Sequence, residues 1–245
     1  MRMRKRPNLQ PRLARCEAVN VTEPETQRGQ WRELLPDCRA LHVELGCGKG
    51  RFTAETAAQA PEILLVAMEK VPDAMVVAME RVLERELPNV RFMDRDVLSC
   101  GEIFAPGEVD RLYINFCDPW PKSRDAKHRL TAPGFLRRYA DLLPPGGAVH
   151  FKTDNGPLFA WSLEQFCQEG WTLQAVTDDL HREGPTGVMT DYEMKFHEQG
   201  VPIHRLEAVK TANTKTTADG EPARLRNASL ADARANQKRG DAACG

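Results

Sequence analysis

The feature that most limits the fold of this chain is the alternation of short apolar runs with longer segments of helical periodicity. This alternation is typical of an α/β domain, in which helices connect the parallel strands of one sheet. Strands are predicted at residues 41–45, 63–68, 90–93, 109–116, 148–152, 173–177 and 202–209. Helices are predicted at residues 51–58, 73–86, 131–143 and 158–169. Thr131 is expected to cap the third of these helices, with Pro133 in its first turn.

Length and composition limit the architecture to one domain with extensions, or at most two small domains. Of the 245 residues, 41% are hydrophobic, so a sizeable core is available. We divide the chain into a basic N-terminal segment (1–40), a domain (41–210) and a polar tail (211–245). Because the tail has no aromatic residue, we expect it to be disordered, with a short helix at 225–238 as the alternative.

Charge and cysteine content narrow the class of protein. The net charge is −1, so any affinity for nucleic acid must come from local basic clusters. The seven cysteines are odd in number and never spaced as CxxC, which argues against disulfides or a zinc site and favours a reducing compartment. The sequence shows neither an apolar run of about 18 residues nor the pattern of a signal peptide. We therefore expect a cytoplasmic protein without a metal site.

The segment LHVELGCGKGRF predicts a strand, a glycine-rich turn and a helix. Glu44 lies at the end of the strand, and Gly46, Gly48 and Gly50 allow a tight turn and a close approach of the backbone to a ligand. A plain turn without a ligand is the alternative. The spacing also departs from the GxGxxG pattern of dinucleotide sites, which disfavours a nicotinamide nucleotide.

Acidic residues follow the second and third predicted strands. Glu69 lies 19 residues beyond Gly50, where an acid can bind the two ribose hydroxyls of a nucleoside. Asp94 and Asp96 follow the third strand, and either could accept a hydrogen bond from an adenine amino group. Glu44 would face the sulfonium of a cationic cofactor. This order favours an S-adenosylmethionine site over a nicotinamide nucleotide or no ligand.

The segment NFCDPWPKSRDAKHRL begins at the end of the fourth predicted strand. Asp118 offers an acceptor at the carboxyl end of that strand, where ligands of parallel sheets lie. Pro119 fixes the turn, and Trp120 offers a flat apolar face to a base. A capping acid beside a core tryptophan is the alternative interpretation. The cations that would hold phosphates in this segment are Lys122, Arg124, Lys127 and Arg129.

Five segments occur in order along the chain: HVELGCGKGRF, GEVDRLYINFCDPWPKSR, AVHFKTDN, TDYEMKF and GVPIHRLE. In these segments, and over roughly residues 1–210, the chain resembles the bacterial tRNA (guanine-N7-)-methyltransferase family. The resemblance implies a single Rossmann-like class I methyltransferase domain, an α/β fold with a mostly parallel seven-stranded sheet and helices on both faces. It also implies methyl transfer from S-adenosylmethionine to N7 of a guanine in tRNA, at position 46 of the variable loop.

The resemblance further implies roles for individual residues. Cofactor contacts are implied at Glu44, Glu69, Asp96 and Asp118, together with the glycine turn Gly46, Gly48 and Gly50. Asp118 is the implied catalytic residue. Substrate contacts are implied at Lys122, Asp154, Thr190, Asp191, Tyr192 and Glu193. RNA contacts are implied at Arg124, Lys127, His128 and Arg129. The chain departs from the family pattern in this last loop, where Asp125 and the sequence KHR replace a histidine and paired arginines.

The implied reaction needs little acid–base chemistry. Guanine N7 carries a lone pair and no proton, so Asp118 need not act as a base, and holding the reacting atoms in line can supply roughly 7–11 kcal/mol. Asp118 would instead orient the guanine or stabilise the cationic methylated base, and the sequence leaves both roles open. N7 lies on the groove edge that A-form RNA closes to side chains, so the base must be in an accessible loop or turned out of its stack.

Two other functions fit part of the same pattern. An N6-adenine or other amino-group methyltransferase would have an Asn/Asp-Pro-Pro-aromatic tetrad, whereas here Trp120 directly follows Pro119. A catalytically inert RNA-binding relative would keep the fold without the acids. The complete set of acids argues against it: Glu44, Glu69, Asp96 and Asp118.

Overall fold

The computed structural model of the protein describes residues 8–219. The strands in this range are β1 (Ala40–Leu45), β2 (Ile63–Met68), β3 (Val90–Met93), β4 (Arg111–Asn115), β5 (Ala148–Thr153), β6 (Thr172–Thr177) and β7 (His204–Val209). The α-helices in the same range are α1 (Leu9–Arg15), α2 (Arg51–Gln59), α3 (Pro72–Glu84), α4 (Cys100–Ile103), α5 (Pro133–Leu142), α6 (Gly156–Gln168) and α7 (Asp191–Glu198). Every predicted strand and helix is present, with ends that differ by at most two residues.

The strands form one seven-stranded sheet in the order β3-β2-β1-β4-β5-β7-β6. β1 to β5 pair in parallel, and β7 lies antiparallel between β5 and β6. The predicted mostly parallel α/β fold is therefore confirmed. The chain moves outward from β1 to β3 and then returns to the other side of β1 with β4. The carboxyl ends of β1 and β4 consequently border the crevice in which doubly wound sheets bind ligands.

Side chains of the sheet alternate between two apolar layers. In β2, Leu64 and Val66 pack into the layer that contains α5 and α6, whereas Leu65 and Ala67 pack into the layer of α2 and α3. All four are buried on both sides of the sheet, as expected for a central parallel strand. Full burial of such a leucine or valine contributes about 1.5–3 kcal/mol. None of the helices within residues 8–219 is long and apolar enough to cross a membrane.

Both outer strands of the sheet have irregular partners or shapes. Beside β3, Asn20 forms a single parallel bridge with Phe92, and the Val21 amide donates to the Phe92 carbonyl at 2.8 Å. At the opposite edge, the pairing of β6 with β7 shifts register between Gln174 and Thr177. Ala175 within this bulge has a φ of 47°.

The start of α5 differs from the prediction. Thr131 is not its N-cap: Ala132 occupies that position, and no side chain caps the helix. The Thr131 hydroxyl is buried and hydrogen-bonds Ser162 of α6 at 2.7 Å, so it joins two helices. Pro133 does lie in the first turn, as predicted.

The segment after β7 also differs from the expected tail. Thr214 is buried, its hydroxyl donates to the Gly170 carbonyl at 3.1 Å, and the Lys215 amide donates to the Glu169 carbonyl at 2.9 Å. Thr217 hydrogen-bonds Asp141 of α5. Residues 211–219 thus pack against the domain, and we call them the C-terminal strap. The rest of the expected tail, with the alternative helix at 225–238, lies outside the described residues.

Candidate active site

The three glycines after β1 have different surroundings. All have positive φ angles, which favour glycine. A Cβ on Gly50 would lie 2.5 Å from the Cβ of Ala78, so this glycine lets α2 approach α3. A Cβ on Gly46 or Gly48 would meet no atom within 4 Å. The backbone at Gly46 and Gly48 therefore faces open space at the end of β1, which leaves room for a ligand.

Glu69 follows β2 and is held by backbone amides. Its Oε2 accepts from the Gly48 amide at 2.9 Å, and its Oε1 accepts from the Val71 amide at 2.9 Å. A carboxylate offers about four acceptor sites, so each oxygen retains one for a further donor. This geometry fits a side chain that accepts from two neighbouring hydroxyl groups.

Glu44 is a buried carboxylate near the end of β1, with only 1% of the residue exposed. It accepts from Thr53 Oγ1 at 2.6 Å and from Asn115 Nδ2 at 3.2 Å. Burial raises the pKa of Glu44 to about 7, although these hydrogen bonds and the charge of Lys152 oppose the rise. Since a buried carboxylate is costly to ionise without a cation nearby, this position suits a positively charged ligand.

Asp94 and Asp96 lie in the loop after β3, and both are exposed. Asp96 accepts from the Leu98 amide at 2.9 Å and so caps a 3₁₀ turn. Partial burial raises the pKa of Asp94 above its ordinary value, and the charge of Arg95 opposes this. Both carboxylates remain available to a ligand at the β3 end of the site.

Asp118 is exposed, in the turn that follows β4. It lies between Phe116 and Trp120, which have φ angles of 55° and 43°. Bulky residues rarely adopt this left-handed conformation, and each instance costs on the order of 1–3 kcal/mol. The ring of Phe116 packs at 6.0 Å from that of Phe196 on α7. Strain of this kind is common where a turn must present one side chain in a fixed direction.

The loop after this turn contains exposed and inward-facing cations. Lys122, Arg124 and Lys127 are exposed, and the Arg124 guanidinium lies 3.8 Å from the neighbouring Asp125 carboxylate. The His128 ring packs 5.1 Å from the Trp120 ring. Because Asp125 is the one acid of this loop, the loop keeps a net positive charge, as a surface that binds phosphates requires.

Arg129 does not share this exposed position. Its Nε donates to the Pro119 carbonyl at 3.0 Å, and its Nη2 donates to the Trp120 carbonyl at 3.0 Å. Its guanidinium carbon lies 4.4 Å from the ring centroid of Trp161. Arg129, one of the four residues expected to contact RNA, is thus hydrogen-bonded to the turn that carries Asp118.

Glu193 is the most buried of the residues expected to contact substrate, with 0% exposed. Its Oε2 accepts from Lys152 Nζ of β5 at 2.6 Å, and its Oε1 lies 2.9 Å from His181 Nε2. Lys152 Nζ also donates to the Val188 carbonyl at 2.9 Å. Burial lowers the pKa of Lys152, and the charge of Glu193 opposes this. This buried group holds α7 and the loop before it against the sheet.

The remaining expected substrate residues lie on the surface around α7 and β5. Thr190 caps α7: its Oγ1 accepts from the Glu193 amide at 3.0 Å, and Glu193 accepts from the Thr190 amide. Asp191 pairs with Arg81 of α3 at 3.3 Å. Tyr192 is 56% exposed, and Asp154 is exposed directly after β5.

Parallel strands end on the same side of a sheet, so the expected acids lie together at the carboxyl ends of the strands. Sequence reasoning missed the residues that support them. Thr53 and Asn115 hold Glu44, and Lys152 holds Glu193. The capping-box pattern TDYE could have predicted α7. Among residues 8–219 no group of three or more acidic, histidine or cysteine side chains could hold a metal ion.

Comparison with known sequences assigns the family. A family model described as "Putative methyltransferase" matches residues 38–206. A tRNA (guanine-N(7)-)-methyltransferase from Streptococcus suis is 44% identical over 209 residues, 85% of this chain and 99% of that protein. One from Geobacillus thermodenitrificans is 41% identical over 211 residues, 86% of this chain and 98% of that protein. The chain belongs to the tRNA (guanine-N(7)-)-methyltransferase family. The family match begins before β1 and ends within β7, so it includes the whole candidate site.

Solved structures show the same fold at low sequence identity. The 16S rRNA methyltransferase KamB aligns with a TM-score of 0.57 at 17% identity, over 75% of this chain and 93% of that chain. The aminoglycoside resistance methyltransferase NpmB1 aligns with a TM-score of 0.55 at 15% identity, over 75% and 93% of the two chains. Family and neighbours agree on the Rossmann-like class I methyltransferase fold.

Proposed function

We propose that this chain transfers a methyl group from S-adenosylmethionine to N7 of a guanine in tRNA. The observation that carries the proposal is the grouping of Glu44, Glu69 and Asp118 at one edge of the sheet, beside the crevice between β1 and β4. The named relatives support the choice of base and of RNA, since those at more than 40% identity carry the name tRNA (guanine-N(7)-)-methyltransferase.

The residues at this edge fit a cationic adenosine cofactor. Glu44 is a buried carboxylate for the positively charged end, and Glu69 is a fixed acceptor for the two ribose hydroxyls. Gly46 and Gly48 leave the backbone open between them. Asp96 would accept from the adenine amino group. S-adenosylmethionine, when bound, supplies an electrophilic methyl group.

Asp118 and its turn would hold the base. Guanine N7 has a free lone pair at neutral pH, so no residue has to remove a proton before attack. The Asp118 carboxylate would accept from the N1–H and amino group of guanine, which adenine lacks in this arrangement. Its negative charge would also stabilise the base as it becomes cationic. Trp120 would offer an apolar face to the base beside it.

The surrounding surface would hold the rest of the tRNA. Lys122, Arg124 and Lys127 are exposed next to the turn, where they can bind phosphates on either side of the target nucleotide. Asp154 and Tyr192 lie exposed on the same edge, after β5 and on α7. Because N7 is inaccessible in an A-form helix, the base would enter from a loop or turn out of its stack.

The deciding experiment is methyl transfer to unmodified tRNA from methyl-labelled S-adenosylmethionine, followed by digestion and mass analysis of nucleosides. We expect 7-methylguanosine. N6-methyladenosine would instead indicate an amino-group methyltransferase. Absence of both transfer and cofactor binding, measured by calorimetry, would indicate an inert RNA-binding relative.

Substitution of Asp118 tests its role. Asp118→Ala should abolish most transfer, because both the acceptor and the charge are lost, whereas Asp118→Asn should keep part of the rate, because the amide retains an acceptor. Single-turnover rates at saturating cofactor measure the difference. Equal rates for Asn and Ala, with wild-type cofactor affinity, would show that the charge of Asp118 is what matters.

A further inference from the structure

We infer that Arg129 is a positioning residue that fixes the turn carrying Asp118, and that it does not bind RNA phosphates. The inference rests on the proposed function, since the turn has this importance only where Asp118 and Trp120 hold the base. It separates Arg129 from the exposed cations Arg124 and Lys127 of the same loop.

The guanidinium of Arg129 bridges two successive carbonyl groups. Its Nε donates to Pro119 and its Nη2 to Trp120, each at 3.0 Å. These carbonyls belong to the two peptide planes that meet at the Trp120 Cα. A rigid planar group bound to both planes restrains both backbone angles of Trp120.

Trp120 needs such a restraint. Its φ of 43° lies in a region that bulky side chains rarely adopt. Phe116, on the other side of Asp118, is also left-handed, but its amide donates to the Lys152 carbonyl of β5 at 2.9 Å. The sheet therefore holds one side of the Asp118 turn, and Arg129 holds the other.

A second contact fixes the guanidinium itself. Its carbon lies 4.4 Å from the ring centroid of Trp161, which extends from α6. Planar guanidinium groups stack on indole rings, whereas an ammonium has no such plane. The backbone beside it is also fixed, because the Ala132 amide donates to the Arg129 carbonyl at 2.9 Å just before α5.

Phosphate binding is the competing role, and Arg124 shows what it would require. The Arg124 side chain is 77% exposed, and its partner in the structure is the adjacent Asp125 at 3.8 Å. Nε and Nη2 of Arg129, in contrast, donate to the carbonyls of the turn, and one face of its guanidinium lies over the Trp161 ring. Binding a phosphate through Nε and Nη2 would release the Pro119 and Trp120 carbonyls.

The test compares Arg129→Gln and Arg129→Lys with the matched control Arg124→Gln, in the full chain with unmodified tRNA. For both Arg129 variants we expect kcat to fall about tenfold or more, since misplaced reacting groups cost up to about 100-fold. The tRNA KM and the salt dependence of tRNA affinity should remain those of the wild type. Arg124→Gln should show the opposite split: KM rises, and the log–log salt slope becomes shallower by about 0.7–0.9.

Two variants of Trp161 test the same inference independently. Trp161→Leu removes the aromatic platform and should lower kcat in the same direction as Arg129→Gln, whereas Trp161→Phe keeps a ring and should retain more activity. Thermal melting and cofactor affinity identify variants that fold. A wild-type kcat with a shallower salt slope in Arg129→Gln or Arg129→Lys would overturn the inference in favour of phosphate binding. Absence of 7-methylguanosine from the wild type would reject the proposed function instead.

Discussion

Glu44 and Asp118 are both carboxylates at the carboxyl ends of central strands, yet their surroundings differ. Glu44 is buried and hydrogen-bonded, and burial raises its pKa to about 7. Asp118 is exposed in a strained turn. A carboxylate that is costly to ionise gains most from a cationic ligand, whereas an exposed one can exchange water for a base without that cost. The two positions therefore suit different partners: the cofactor and the nucleobase.

The raised pKa of Glu44 predicts opposite effects of Glu44→Gln on stability and on binding. Because the folded protein holds this proton more tightly than the unfolded chain, the wild-type free energy of unfolding falls as pH rises from about 4.5 to about 7. A shift of this size corresponds to on the order of 3 kcal/mol. Without ligand, Glu44→Gln should therefore be more stable than the wild type at pH 8, with the difference shrinking towards pH 5. Denaturant unfolding at several pH values measures it.

Cofactor affinity supplies the other half of this test. Wild-type affinity for S-adenosylmethionine should increase as Glu44 ionises through pH 7, and the Gln variant should bind more weakly, with a flatter pH profile. Calorimetry across pH 6–8 measures both. Parallel stability profiles for the two proteins would show that Glu44 is already ionised in the unliganded protein at the lower pH.

At the residue scale, the sequence predicted which acids lie together but not which charges are buried. Glu44, Glu69 and Asp118 each follow or end a strand, so topology alone groups them. Arg129 and Glu193 look like any loop or helix charge in the sequence. Their inward positions depend on contacts with Trp161 and Lys152, which are distant in the chain. Hydrophobic periodicity and motif spacing do not predict such contacts.

At the scale of elements, α7 is attached to β5 through a buried ion pair. Lys152 Nζ and Glu193 Oε2 are 2.6 Å apart, and their side chains are 10% and 0% exposed. Because α7 also carries Asp191 and Tyr192, the pair fixes the position of the expected substrate segment relative to β5, the strand that Asp154 directly follows. Sequence patterns did not predict α7, since eight mixed residues show little periodicity beyond the capping box.

A double-mutant cycle should show strong coupling within this pair. Lys152→Met and Glu193→Gln each leave the partner charge buried, and loss of one partner costs about 3–5 kcal/mol. The double variant should therefore lose less than the sum by about 0.5–3 kcal/mol. The pair Arg81–Asp191, whose side chains are 30% and 33% exposed, is the matched control, with coupling below about 1 kcal/mol. Additive losses at Lys152 and Glu193 would show that this ion pair does not hold α7 to β5. Urea unfolding gives all the required free energies.

Two substitutions in the glycine turn should have different effects, one mainly on packing and the other mainly on cofactor binding. Gly50→Ala places a Cβ 2.5 Å from Ala78, so we expect about 1–3 kcal/mol of destabilisation from overpacking, with backbone strain in addition. Gly48→Ala meets no atom within 4 Å, so its stability loss should be smaller and its loss of cofactor affinity larger. Melting and calorimetry on the two proteins measure this. Equal stability losses would mean that strain, not contact with α3, determines the effect.

At the scale of the whole molecule, the domain continues beyond the expected boundary at residue 210. The C-terminal strap crosses the ends of α5 and α6, and Gly170 is the position that admits it. A Cβ on Gly170 would lie 2.1 Å from the Asn213 carbonyl oxygen. The composition of the tail predicted disorder because it has no aromatic and few large aliphatic residues. The strap is held instead by hydrogen bonds to backbone groups, which composition does not reveal.

A chain that ends at Lys210 should therefore melt below one that ends at Asp219. Loss of the contacts of Thr214, Lys215 and Thr217 should lower the melting temperature by roughly 3–10 °C. Gly170→Ala is the internal control: it should destabilise the longer chain strongly and the shorter chain much less, because Asn213 is then absent. Equal effects of Gly170→Ala in both chains would show that the strap contributes little.

The irregular sheet edges have a consequence for self-association. A largely buried outer strand such as β3 is the kind that other chains can extend by backbone pairing when its edge is free and flat. Here the single bridge from Asn20 covers β3 and is followed by Pro24 in a 3₁₀ turn, so it offers no continuous ladder of its own. The bulge at Ala175 interrupts the opposite edge. Backbone shape thus protects both edges against amyloid-like stacking, in a protein whose net charge of −1 gives little electrostatic repulsion between copies.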